Sequence, residues 1–186
     1  MDTYSQISTL FLVANHNVTD EISIAKLLLT IFLVLLNGFF VAAEFAIVKV
    51  RSSQIEVNQD INESTSNVAK LIVSHLDSYL AATQLGITLA SLGLGWVGES
   101  SLSPVIIKLF EIFGLTSPSW TVIAHNAAFP IAFVIITVLH IVFGELAPKS
   151  IAIQYPTKTT FSVAWPLRAF YFVFKPLIML MNGLAN

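Results

Sequence analysis

The sequence predicts an all-α membrane protein in which three transmembrane helices are followed by an interfacial juxtamembrane helical belt. Three observations carry that prediction. Of the 186 residues, 55% are hydrophobic and 11% charged, and the mean hydropathy is +0.80; soluble domains run at about 45–50% and about 25%. Three apolar runs, 24–48, 79–97 and 120–143, have the length of about 20 residues that a helical bilayer crossing needs. The closing stretch, 157–186, interleaves aromatic rings with Pro166, Arg168, Lys175 and Pro176. That mixture suits a helix lying at headgroup level, rings in the boundary and cations toward lipid phosphate.

The elements follow in chain order. Residues 1–22 have no positively charged start and only a short apolar patch, so they read as a mobile extracellular leader and not as a secretory signal. A three-helix transmembrane domain is expected over 23–156. Its first helix, Ile24 to Val48, is interrupted only by Lys26, Asn37 and Glu44. From Arg51 to Ser78 the chain turns polar, with charges of both signs, and predicts a helical connector off the membrane. Tyr79 to Val97 carries small residues but no charge and makes the second crossing. Glu99 to Ser119 holds Pro104, Gly114 and Pro118 around the amphipathic piece VIIKLFEIF, and predicts a hairpin turn on the far side. Trp120 to Phe143 returns across the membrane despite Pro130, since membrane helices tolerate proline better than soluble ones do. Residues 157–186 then form the juxtamembrane interfacial helices. A fourth, kinked crossing there is the alternative, and it would put the C-terminus outside.

Charge excludes several classes of function and sets the orientation. Arg51, Lys70, Lys149, Lys158, Arg168 and Lys175 fall on one side against Lys108 on the other, so the positive-inside rule places the N-terminus outside and the C-terminus in the cytoplasm of a multi-pass cell (plasma) membrane protein; Lys26 dissents. A net charge of −2 gives no nucleic-acid footprint. The absence of cysteine removes disulfides, thiolate metal sites and cysteine nucleophiles. Any metal bound here takes mostly oxygen ligands, so hard cations such as magnesium lead. No His-Glu-x-x-His run or glycine-rich phosphate loop occurs, the four histidines are scattered on separate segments, and the reading is of a protein that is not an enzyme.

Helical spacing sorts the polar positions into faces. On the second helix Gln84, Thr88, Ser91 and Gly95 form one stripe, and Ala82, Gly86, Ala90 and Gly93 line roughly the opposite side. On the first, Asn37, Val41 and Glu44 share a face, while Gly38, Ala42 and Ala46 make a small-residue ridge that lets membrane helices approach closely. On the third, Asn126, Pro130, Thr137, His140 and Gly144 lead to Glu145. Three polar stripes predict an enclosed polar cavity, although such residues also serve as interhelical glue worth about 0.6 kcal/mol each.

Two carboxylates stand inside these greasy runs, Glu44 and Glu145, each with a cation close by: Lys49 and Arg51, and Lys149. An ionisable group at membrane depth costs several kcal/mol unless it has a partner, water or an ion. Glu44 has a structural alternative, an ion pair with Lys49 or Arg51. Glu145 follows Gly144 and precedes Leu-Ala-Pro-Lys; Pro148 cannot donate a backbone hydrogen bond, so the helix is expected to unwind there and to expose carbonyl oxygens beside the carboxylate.

The runs NGFFVAAEFAIVKVR, YLAATQLGITLASLGLGWVGE, FGELAPKSIAIQYP and WPLRAFYFVFKPLIMLMNGLAN together resemble the transmembrane domain of the CorC/cyclin-M magnesium transporters, also described as hemolysin-C-like proteins. The likeness covers nearly the whole chain after the leader, and the Phe-Phe-x-x-x-Glu and Gly-Glu-x-x-Pro-Lys elements carry it. It implies a homodimer of three-crossing subunits in the lipid bilayer and sodium-coupled efflux of magnesium. A dehydrated ion would be held by the glutamate of the Gly-Glu element, a residue just before the first-helix glutamate, and two residues of the second helix. By position these are Glu145, Ala43, Thr88 and Ser91. Ala43 supplies no side-chain oxygen, and Thr88 and Ser91 supply hydroxyls where amides are expected. Water or a backbone carbonyl then fills the gap, or the chain moves another cation. The resemblance also implies cytoplasmic nucleotide-binding modules following the point where this chain stops, and so a shortened chain.

The expected function is therefore export of a divalent cation, Mg2+ first, with Na+ as coupling ion. The metal would be held by Glu145, Thr88 and Ser91, aided by Glu44 and backbone oxygens near Gly144 and Ala43, while Pro148 and Lys149 anchor the unwound segment. The alternative is a non-transporting membrane scaffold or sensor whose polar stripes glue a dimer.

Overall fold

The computed structural model describes residues 23–57, 63–115 and 117–185, so the leader expected over 1–22 lies outside the described residues. Among the described residues every regular element is helical. In order these are α1 (Ile24–Lys49), α2 (Ser52–Val57), α3 (Glu63–Ser74), α4 (Leu76–Ile112), α5 (Pro118–Leu139), a π-helical segment (His140–Leu146), α6 (Ala147–Gln154) and α7 (Pro156–Ala185). Four stretches are long and apolar enough to cross a membrane: Ile24–Lys49, Leu76–Ile112, Ser119–Gln154 and Pro156–Met181. The all-helical membrane class holds, and the tail adds one crossing-competent helix to the three expected. Large apolar side chains point outward as a lipid-facing protein requires; Leu92, Phe133 and Phe172 are 67%, 59% and 78% exposed.

The chain divides into two compact units. One comprises the start of α1 up to Ile31 with residues 94–138. Its core is Ile106, Ala128 and Ala132, with Leu102, Ile107 and Phe110 packed around them. Thr30 Oγ1 and Ser101 Oγ share a buried hydrogen bond of 2.8 Å, tying α1 to α4. The expected hairpin turn over Glu99–Ser119 is corrected here, because α4 continues as helix through Pro104 to Ile112. Proline removes one backbone bond, a local cost, and burial of Ile106 on the far side of it offsets that cost. The turn is confined to the residues after Ile112. Gly114 (φ 77°) donates to Glu111 O at 2.9 Å and Leu115 donates to Phe110 O at 3.0 Å, a Schellman closure that needs the left-handed backbone glycine allows.

The other unit comprises residues 32–93 and 139–186. Its main core joins α1 (Phe40, Ala43, Ile47), α3 (Val68, Ile72), Tyr79 of α4, and α7 (Val163, Ala164, Leu167). The polar connector is helical as expected, split into α2 and α3. α3 is amphipathic and buries Thr65, Ser66, Val68, Ala69 and Ile72. Ser66 Oγ donates to Ile55 O at 3.1 Å, fastening α3 to α2. Val50, Ile55 and Ala69 form a smaller core with Val73 and Phe161. Ala81, Ala82 and Leu85 of α4 pack on Ile178 of α7 with Phe170, Tyr171 and Phe174. This unit contains every residue singled out above as a cation ligand or anchor.

Candidate functional site

The small-residue faces behave as their spacing predicts. A Cβ on Gly38 would lie 2.8 Å from Phe143 O and 2.9 Å from Pro148 Cγ, so α1 presses directly on the π-helical segment and the start of α6. On α4, Ala82 and Ala90 are buried, a Cβ on Gly86 would strike the Phe40 ring, and Gly93 faces Leu33.

Around Glu145 the expected unwinding does not occur, and this too is a correction. The backbone stays right-handed helical on both sides, with Leu139 at φ −60°, ψ −43° and Ala147 at φ −67°, ψ −48°. It widens instead into seven residues of π-helix, in which the Ala147 amide bonds to Val142 O. The cause is readable in the chemistry. In an α-helix the Gly144 carbonyl would accept from the amide of residue 148, which is proline and has none. Shifting to i→i−5 bonding keeps the neighbouring groups paired, and single-turn π segments of this kind cluster at functional sites.

The Gly144 carbonyl accepts from another helix. Asn37 Nδ2 of α1, 3% exposed, donates to Gly144 O at 2.9 Å. Asn37 Oδ1 in turn accepts from Ser91 Oγ of α4 at 3.2 Å. One buried amide thus joins three segments. Asn37 belongs to the polar face read on the first helix but not to the expected ligand set; the one signal for it is an amide interrupting an apolar run, which glue and site residues share.

The remaining expected positions are placed as follows. Ser91 is half-buried and Gly144 buried, and they meet through Asn37. Thr88 is exposed, and its hydroxyl donates to Gln84 O of its own helix at 2.8 Å. Ala43 is fully buried in the apolar core with Phe40, Ile47 and Val163. Glu44 is half-buried; among the described residues it forms no ion pair with Lys49 or Arg51, and the cation whose field acts on it is Lys149. Lys149 sets its Nζ 4.5 Å from the centroid of the Phe45 ring, a cation–π contact that pins α6 to α1. Pro148 packs against Gly38. Glu145 is exposed on the π-helical segment, with no ion pair or hydrogen bond to another described residue. Among the described residues no three histidine or carboxylate side chains converge as a metal cluster. Of the three polar stripes, hydrogen bonds gather Asn37, Ser91 and Gly144, while Thr137 donates to Phe133 O of its own helix at 2.7 Å.

A helical, multi-pass membrane domain with a π-helical Gly-Glu junction clamped by a buried amide is the class defined by these features. The chain belongs to the family described as the cyclin M transmembrane N-terminal domain, which it matches over residues 28–186. It is 43% identical over 163 residues to the UPF0053 protein YhdT of Bacillus subtilis (strain 168), covering 88% of this chain and 34% of that protein. To the UPF0053 protein YrkA of the same organism it is 45% identical, covering 87% and 36%. A polyamine export protein of Haemophilus influenzae is 28% identical over 160 residues, covering 86% and 36%. The chain thus spans about a third of the length of the curated relatives it matches.

Proposed function

We infer that this domain carries a cation across the cell membrane, with Mg2+ as the cargo and Na+ as the coupling ion. The observation that carries the reading is the π-helical segment: it holds a buried carbonyl, Gly144 O, next to Glu145, a carboxylate with no ion pair or hydrogen bond among the described residues, on a helix long and apolar enough to span a bilayer. Glu145 supplies the charge. Ser91 Oγ and Thr88 Oγ1 have both committed their protons to other acceptors, so each can turn lone pairs toward a cation. Gly144 O adds a backbone ligand in place of the oxygen that Ala43 lacks, and Glu44 contributes field. With so few protein oxygens, the ion keeps part of its water shell, as Mg2+ commonly does. Lys149, held on Phe45, and Pro148, seated on Gly38, fix the segment while rocking of the helices exposes the ion to one side and then the other.

In this reading the domain is a homodimer of three-crossing subunits with the N-terminus outside and the C-terminus cytoplasmic. α2, α3 and α7 form the juxtamembrane belt, and cytoplasmic nucleotide-binding modules follow in the full-length chain. A second reading keeps the site and changes the cargo: one relative is named for polyamine export, and an extended organic cation also needs a carboxylate in a greasy path.

Proteoliposome flux decides between them. Mg2+ flux in the wild type that falls at least about a hundredfold in Glu145→Ala, the ~3 kcal/mol expected for stripping one partner from a partly dehydrated charge pair, supports the first reading. Polyamine flux without Mg2+ flux supports the second. Equal flux of every cation in wild type and variant overturns both and leaves the scaffold.

A further inference from the structure

We propose that Asn37 is the positioning residue of the cation path, holding Ser91 Oγ and Gly144 O in place as a pair of ligands through one buried amide. The inference rests on the functional reading above and assigns a role to a residue outside its ligand set.

The amide's orientation is fixed by chemistry. Gly144 O can only accept, so the atom 2.9 Å from it is the amide nitrogen, and the atom that accepts from Ser91 at 3.2 Å is the amide oxygen. Each bond then has a consequence for a cation. Because Ser91 spends its only proton on Asn37, its lone pairs stay free; a serine that instead donated toward the ion's place would repel it. Because Pro148 deprives Gly144 O of its α-helical donor, the carbonyl would otherwise be pulled by whatever donor it found. Asn37 takes one of the two lone pairs a carbonyl oxygen carries. Space around the clamp is tight. A Cβ on Gly144 would lie 3.2 Å from Asn37 Nδ2 and 2.7 Å from His140 Cδ2, so the Gly144 backbone packs closely against the amide and the imidazole. Asn37 is 3% exposed, and a buried amide polarised at both ends strengthens both of its bonds. Asn37 itself offers no unspent oxygen toward an ion beyond the lone pair left by Ser91, which is why it positions rather than ligates.

The test is a double-mutant cycle on Mg2+ flux by the purified protein in liposomes, with Asn37→Leu, Ser91→Ala, their combination and Glu145→Ala. Positioning predicts that Asn37→Leu raises KM for Mg2+ at least tenfold with maximal flux within about twofold of wild type, and that the combined variant is no worse than the poorer single one, the non-additivity expected of residues acting as a unit. Asn37→Ser, too short to bridge both partners, raises KM by the same order and serves should Asn37→Leu fail to reconstitute. A merely structural role lowers the fraction of active protein, so maximal flux falls while KM stays; that result, or strictly additive effects, overturns the proposal. When Glu145→Ala loses flux and the Asn37 variants keep their KM, only the positioning role falls. Absent Mg2+ flux in the wild type overturns this proposal together with the functional reading.

Discussion

Gly38 and Thr160 show the two ways in which single residues set the stability of the fold. At Gly38 the neighbour is a backbone oxygen, Phe143 O, 2.8 Å from the place of an added Cβ. Backbone cannot rotate away, so Gly38→Ala is expected to cost about 1–3 kcal/mol by overpacking, read as a lower unfolding midpoint in detergent. An unchanged midpoint would mean that α1 does not press on the π-helical segment. Thr160 lies at the opposite pole. Its side chain is fully buried in α7, and its hydroxyl has no hydrogen-bond partner among the described residues. Leaving a buried donor unmade costs about 1–3 kcal/mol, whereas valine keeps the shape without the hydroxyl. Thr160→Val should therefore raise the midpoint by the equivalent of about 1 kcal/mol, and a drop would reveal a partner for the hydroxyl. Gly38 was legible in the sequence because the Gly38, Ala42 and Ala46 ridge repeats at helical spacing. Thr160 was not, since nothing local distinguishes a threonine facing a core from one facing water. Asn37 lay between these cases: its face was legible, its partners were not, because Gly144 is 107 positions away.

At the scale of elements, proline is where local reading and tertiary structure part. Pro104 and Pro148 both predict a stop, yet α4 runs on through the first and a π-helical segment precedes the second. In each case the chain gives up one backbone bond and keeps its helical path, because the apolar side chains beyond the proline have faces to bury and an apolar surrounding offers an unwound backbone no water. Sequence spacing locates the perturbation, near Gly144 and Glu145, but cannot choose between unwinding and widening, which depends on whether another helix brings a donor to the orphaned carbonyl. Asn37 brings it. Pro148→Ala is a direct test. Returning an amide to residue 148 offers Gly144 O an α-helical partner, and closing the π-helical segment as α-helix would turn Glu145 relative to α6 by roughly 100°, one residue's worth of helix. The expected result is a higher unfolding midpoint together with at least tenfold weaker Mg2+ binding by calorimetry. Binding that persists unchanged would mean that the widened helix has no part in presenting Glu145.

For the molecule in its bilayer, α7 is long and apolar enough to cross the membrane, whereas the functional reading places it along the surface. The packing of α7 supports that reading. The first half of α7 joins a core with α3, the polar connector, through Val163, Ala164 and Leu167 against Val68 and Ile72. If α3 lies off the membrane, as its polarity predicts, a helix held at its level starts at the surface. Further along, Tyr171 stacks on Tyr79 with ring centroids 4.6 Å apart, and Ile178 packs on Ala81, Ala82 and Leu85. From Tyr171 to Ile178 α7 advances roughly 10 Å, at 1.5 Å per residue, while its contacts on α4 advance by about half as much. In the proposed reading α7 runs obliquely across the first turns of α4 and lies along the membrane surface. Arg168 lies 5.7 Å from the Trp165 ring centroid, the aromatic and cationic pairing of an interface helix. The chain has no cysteine, so single cysteines report topology without background. Ser53→Cys in α2 and Gly183→Cys at the end of α7 should label from the same, cytoplasmic side in inside-out vesicles, and Leu115→Cys beyond α4 from the other. If Gly183→Cys labels with Leu115→Cys while Ser53→Cys does not, α7 is a fourth crossing and the juxtamembrane belt of the functional reading is overturned.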